Sequence, residues 1–382
     1  MREVIKKYTM VLALVVVFIF FTALTGGKLL LAQNISNLLL QNAYVLIMAC
    51  GMLLCILTGG NVDLSVGATL CLSAALAAKS LEAGMNPILA VIIAIGAALV
   101  IGVIQGYLVG YVHIPPFICT LAGMFLYRGL ARVVLDSKTV SISNEKFLNL
   151  FTSYIMFPGE KMKHCTSALI IGIIIAALIT VFMIYKRAKK VKQGYQAESF
   201  IFLVTKLTII DALIVIYSWK LSQYKGIPVM LLWILVIVLI FAFITSSTVF
   251  GRYFYAVGGN EKATKLSGID PRKVYFFAYF LMSILAGLSG LLVAARIGSV
   301  DGNMGNTYEM DAIASCFIGG ASAYGGSGTV PGIMVGAILL GVINQGMSIY
   351  GLPDQWQYVV KGLVLIIAVV FDVVSNKKAG KS

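Results

Sequence analysis

Residues 59–67 read GGNVDLSVG, so two glycines, an asparagine and a carboxylate stand between the apolar runs 38–58 and 70–78. Inside lipid no water satisfies backbone N–H and C=O groups. A glycine-rich break at that depth therefore survives only where protein or a water-filled cavity surrounds it. An ionisable residue there, here Asp63, marks a functional region by default. A second break, 319–332 (GGASAYGGSGTVPG), lies in a similar apolar setting near the other end of the chain. Paired interruptions in the two halves of a hydrophobic chain point to a transport pathway. The residues expected to shape it are Gly59, Gly60, Asp63, Ser65 and Gly67, with Gly319, Gly320, Gly325 and Gly326.

Composition sets the class. The chain is 60% hydrophobic and 12% charged over 382 residues, with mean hydropathy +0.96. Soluble domains carry about 25% charged residues. The expectation is one transmembrane domain, 1–382, of all-α polytopic type with about 10–12 spanning helices. The net charge of +14 lies in short clusters between apolar runs. That is the pattern of topology signals and not of a nucleic-acid surface. The six cysteines mostly fall within apolar runs, where they read as packing residues. His113 and His164 have no metal-ligand spacing around them, so neither a metal nor a cofactor is expected.

At about 20 residues per crossing, the apolar segments are 9–25, 38–58, 61–78, 87–111, 116–134, 167–185, 201–218, 228–246, 274–296, 309–322, 332–350 and 355–373. The first is read as an uncleaved span, because Thr22-Ala23-Leu24 makes a poor signal-peptide cleavage site. The segments 61–78 and 309–322 abut the breaks and read as full spans or half-helices. With both counted, the chain starts and ends on one side. Sixteen Lys and Arg residues then fall on that side and eight on the other, which places both termini in the cytoplasm.

Two cytoplasmic loops follow. Residues 186–200 are a basic run suited to anionic lipid. Residues 247–273 contain Gly258-Gly259, then Asn260 as N-cap, Glu261 in a first turn, and Ser267-Gly268 as a stop. They predict one short self-capped helix outside the membrane.

Gly60 stands seven residues before Gly67, and Gly325 seven before Gly332. Gln105-Gly106 precedes Pro115-Pro116, as Gln345-Gly346 precedes Pro353. The intervening lengths differ, so these pairs leave a distant internal duplication open, and helix packing explains such glycines equally well. No GxxxxGK[ST] phosphate loop, GxSxG elbow or HExxH motif occurs, so neither a nucleotide site nor an enzyme is expected. The carboxylates inside or beside apolar segments are Asp63, Asp211, Glu309, Asp311 and Asp372, with Arg296 and Lys361 as candidate counter-charges. Asn42, Gln105, Asn344 and Gln345 are candidates for a substrate path.

Five motifs in order resemble the inner-membrane permeases of bacterial sugar ABC importers, of the ribose, xylose and multiple-monosaccharide type. They are GGNVDLSVG, IPPFICTLAGMFLYRGLA (114–131), GRYFYAVGGNEKATKLSGI (251–269), YEMDAIASCFIGGASAYGGSGTVPG (308–332) and QWQYVVKGLVLIIAVVFD (355–372). One departure is Gly60-Asn61, where the family usually has isoleucine or a similar residue before Val62-Asp63. The stretch 159–225 is similar to the helical insertion of the longer permeases in this group. The resemblance implies a homodimeric permease core, a separate ATP-binding subunit and an extracytoplasmic sugar-binding protein. It makes the helix around Gly258, Gly259, Asn260, Ala263, Leu266, Ser267 and Gly268 the coupling element, with Ala263 and Leu266 packing in a groove of the ATPase. Alternatives are a sister ABC permease for branched-chain amino acids, nucleosides or a signalling sugar, and an ion-coupled secondary carrier.

Overall fold

The computed structural model describes residues 2–160, 164–195 and 199–378. Each expected apolar segment carries a helix, although 61–65 and 319–322 fall in the irregular breaks. Helix α1 (Arg2–Leu24) leads through a 3-10 turn (Lys28–Leu30) into α2 (Ala32–Gln41) and α3 (Ala43–Leu57). The first break follows, then α4 (Val66–Glu82), α5 (Pro87–Gly110) and α6 (Pro116–Val134). Next come strand β1 (Val140–Ser141), a short helix α7 (Glu145–Thr152) and β2 (Tyr154–Ile155). Helices α8 (Thr166–Lys192) and α9 (Phe200–Ser222) form a hairpin, followed by β3 (Ile227–Pro228) and α10 (Val229–Ser247). After α11 (Val249–Gly259) and α12 (Glu261–Leu266) runs the long α13 (Pro271–Ile297), which ends at β4 (Ser299–Val300). Helix α14 (Tyr308–Ile318), the second break, α15 (Val330–Tyr350) and α16 (Asp354–Lys378) complete the chain.

Among the described residues, eight helices are long and apolar enough to cross a membrane, the joined α2–α3 among them. Helices α4, at 17 residues, and α14, at 11, are shorter and flank the two breaks, as expected for half-helices. The strands only staple loops: β1 pairs with β4, and β2 with β3. Both staples lie at the end of the bundle opposite α12, because α10 and α13 each run from one end to the other.

Helix α3 is apolar all round, which predicts full enclosure, and all 15 of its residues are buried. It packs against α13, α14, α10 and α15. Helices α5 and α13 make the most extensive contact in the molecule. Gly102, Gly106 and Gly110 recur at four-residue spacing along α5, and they face the backbone of Phe280, Phe276 and Arg272 in turn. With no hydrophobic drive between helices in lipid, such small-residue stripes supply the close packing. By contrast, α8, α9 and α10 expose Phe182, Leu213 and Phe243, as lipid-facing surfaces do.

Sequence reasoning missed one helix in the region 247–273. An 11-residue helix, α11, precedes the expected short one, so the segment is two helices and not a loop with one. Thr248 caps it, accepting the Gly251 N–H at 2.9 Å. The spacing of Phe250, Phe254 and Val257 was the available signal. Likewise the segment begun at 38 starts at Ala32 and is interrupted at Asn42.

Candidate functional site

The two breaks, far apart in sequence, lie against each other. Gly60 sits at φ +77°, and a Cβ there would overlap the Ala323 carbonyl. Gly325, at φ +85°, lies against the backbone of Gly59. Only glycine combines left-handed backbone with that approach. Asn61 donates from its side chain to the Thr58 carbonyl at 3.1 Å and so closes the end of α3. The junction has a third member. Gly258, near the end of α11, packs on the Leu57 carbonyl and the Gly326 amide.

Asp63 is fully buried. Its Oδ1 accepts the Ser65 N–H at 2.9 Å and the Ser65 hydroxyl at 2.7 Å, which turns the break into α4. Gln105 of α5 donates to Ser65 Oγ at 2.8 Å, and Ser283 of α13 donates to Gln105 Oε1 at 3.5 Å. A buried carboxylate is tolerable when it is hydrogen-bonded in this way. The network ties the break to the α5–α13 pair.

A second buried polar cluster lies on α14. Asp311 Oδ2 accepts the Tyr44 hydroxyl at 2.6 Å and pairs with Lys361 Nζ at 2.9 Å. Tyr44 and Tyr308 stack with centroids 3.7 Å apart. This pairing of Lys361 was not readable from sequence. Asp211 accepts the Thr180 hydroxyl at 2.6 Å within the α8–α9 hairpin. The side chain of Asp372 lies outside the described residues.

Three of the four candidate path residues make hydrogen bonds within the bundle. Asn42 donates to the Leu38 carbonyl at 2.6 Å and lies against Gly341, and Gln345 donates to the Asn34 carbonyl at 2.6 Å. Gln105 is spent on the Asp63 network. Asn344 is half-buried, and its side-chain oxygen has no hydrogen-bond partner.

Helix α12 is capped at both ends. Asn260 Oδ1 accepts the Ala263 N–H at 2.9 Å, and Gly268, at φ +84°, stops the helix. Thr264 points inward and donates to the Ala256 carbonyl at 2.8 Å. The Tyr275 hydroxyl donates to Glu261 Oε2 at 3.0 Å and so fastens α12 to the first turns of α13. On the free side Ala263 is exposed and Leu266 is 90% exposed. A leucine so placed on a short, capped helix is an apolar knob that none of the described residues covers.

The family model for "branched-chain amino acid transport system / permease component" matches residues 34–369. The chain belongs to this permease family. It is 31% identical to the xylose transport system permease protein of Escherichia coli K12, over 98% of this chain and 93% of that protein. It is also 31% identical to the ribose import permease protein of the same strain, over 91% and 86%. The ribose import permease protein of Bacillus subtilis is 32% identical over 93% and 89%. No solved structure matches the chain. The expectation carried by the five motifs therefore stands: the chain is a multi-pass inner-membrane permease of the sugar ABC-importer type.

Proposed function

We propose that this chain forms the translocation path of an ATP-driven importer for a monosaccharide that an external binding protein delivers. The similarity to xylose and ribose permeases over nearly the whole length of each chain carries the reading. ATP is hydrolysed by a separate ATP-binding subunit, and α12 is the element that subunit grips. Its fixed caps and its tie to α13 through Tyr275 suit the transmission of force, and Ala263 and Leu266 suit a helix-in-groove contact. Two copies of the permease make the core. The whole chain acts as one transmembrane domain, in which 159–225 is an added helical pair carrying the basic cytoplasmic run.

Both termini and α12 face the cytoplasm in this proposal, on the strength of the sixteen-to-eight Lys and Arg asymmetry. Leu266 is the position to label, since Thr264 is buried. A cysteine at Leu266 should resist impermeant thiol reagents in intact cells and react once the membrane is opened. Labelling from outside would reverse the orientation.

The substrate test is uptake of labelled D-xylose and D-ribose by cells that lack their own pentose permeases and carry this chain with the ATPase and binding protein that co-purify with it. Uptake that requires ATP supports the reading. The family description names branched-chain amino acids, so labelled leucine is the comparison. Uptake of leucine and not of either pentose would replace the sugar by an amino acid.

A further inference from the structure

Helix α6 carries two arginines that neither the breaks nor α12 use, Arg128 inside the motif 114–131 and Arg132 just after it. Arg128 and Arg132 stand four residues apart, one turn along the same face of an apolar span. Both reach sideways to residues 301–307. Arg128 donates to the Met304 carbonyl, and Arg132 donates to Asn303 Oδ1 at 3.1 Å. The middle of that segment, Met304 and Gly305, is buried while Asp301, Asn303 and Asn306 are exposed. Cys71 Sγ contacts the Asp301 carbonyl at 3.4 Å, and Gly305 packs on the Gly67 carbonyl, at the level where Leu70 meets Gly290. Gly290 lies seven residues before the end of α13, so the chain dips back by roughly 10 Å along the bundle before α14 begins. Irregular backbone at such depth is tolerated only against protein or water.

Arg128, Arg132, Asn303 and Asn306, with Met124 and Phe125, line a cleft of about 190 Å³. At Arg132 and Asn303 it opens into a wider one that Thr139 and Asp301 share. Each guanidinium carries five N–H donors, and each amide offers both donor and acceptor, so hydrogen-bonding capacity remains for a ligand. The carboxylates of Asp301 and Glu309 stand beside the two arginines. Matched charge suits a neutral polyhydroxylated molecule better than an anion. Phe125, 70% exposed, offers a flat apolar face at the mouth. A few convergent polar groups beside an aromatic wall is the usual make-up of a small-ligand site.

We infer that the cleft between α6 and the re-entrant segment 301–307 is a recognition subsite for a neutral monosaccharide on the translocation path, at the end of the bundle opposite α12. This rests on the sugar-permease reading above. Arg128 and Arg132 fix the segment and present donors to ring hydroxyls. Asn303 and Asn306 supply paired donors and acceptors, and Phe125 covers the apolar face of the ring.

Two measurements test it in the assembled importer. The six native cysteines are buried, so single cysteines placed by Phe125→Cys and Asn306→Cys report on their own surroundings. In membranes both should react with a charged, water-borne methanethiosulfonate reagent, as a cysteine at the exposed loop residue Asn86 does. Reaction only with lipid-soluble N-ethylmaleimide would put this face of α6 in lipid and overturn the inference. In D-xylose uptake, Asn303→Ala and Phe125→Ala should each raise the KM about tenfold at unchanged permease abundance, the scale of losing one good ligand contact. If the wild-type importer takes up D-xylose and neither variant moves the KM more than twofold, the subsite is wrong while the sugar-permease reading stands. If the wild type takes up leucine and no pentose, that reading fails and the subsite with it.

Discussion

The Gly326 amide donates to the Leu57 carbonyl at 3.0 Å. This bond joins the last turn of α3 to the second glycine break, and Gly258 of α11 closes over the same two groups. The two interruptions of the membrane helices and the root of α12 therefore form one junction.

A methyl group at Gly258 has no room there, whereas Gly259 has nothing within 4 Å of an added Cβ. Gly258→Ala should lower the Tm of the purified permease and reduce its abundance, by the about 1–3 kcal/mol that overpacking costs. Gly259→Ala should change neither by a measurable amount. Equal Tm values for the two variants would show that the junction is not tight.

The Asp311–Lys361 pair joins α14 to α16, with Asp311 almost fully buried and Lys361 about one-fifth exposed. Lys361→Met leaves the carboxylate with the Tyr44 hydroxyl alone. Removing one partner of a buried pair costs about 3–5 kcal/mol, and the partial exposure of Lys361 puts this case at the lower end. Adding Asp311→Asn to Lys361→Met should recover most of the lost Tm. A double variant no more stable than the single one would mean that the charge of Asp311 is not what Lys361 offsets.

Glu160 lies before α8, outside the spans, and accepts from Ser167 N at 2.7 Å, from Ser167 Oγ at 2.6 Å and from the Thr166 hydroxyl. Desolvation pushes its carboxyl up, but these bonds to the ionised form outweigh it and hold the pKa at about 2, below the ordinary 4.5. A depressed pKa means that the ionised cap stabilises the folded form fully above pH 4.5. That contribution is lost as the pH falls toward 2. Hydrogen exchange in the first turn of α8 should therefore gain protection between pH 2 and 4.5 beyond the intrinsic rate change, and Glu160→Gln should abolish the gain. An identical profile in both proteins would contradict the cap.

Most of the long apolar helices were legible because lipid leaves few choices. A run of apolar residues of the right length must be a satisfied helix, and caps such as Asn260 and Gly268 announce themselves by type. Helix α11 was missed because an amphipathic segment beside a basic loop has no such length constraint. The pairing of Asp311 with Lys361 and Tyr44 was out of reach for another reason. These residues sit on helices far apart in the chain, and no local spacing encodes which helices touch. Gly60 and Gly325 were singled out as breaks, but their contact with each other depends on the tertiary arrangement. The dip of 301–307 gave little sign in sequence beyond the glycines at 302 and 305.

If α12 transmits the work of a separate ATPase to this permease, Ala263→Glu should show it in both ATPase association and sugar uptake. Ala263 is exposed, so the variant should reach the membrane at normal abundance. A charge in an apolar docking groove should weaken co-purification of the ATP-binding subunit and abolish uptake. Normal recovery of that subunit together with full uptake would contradict the account.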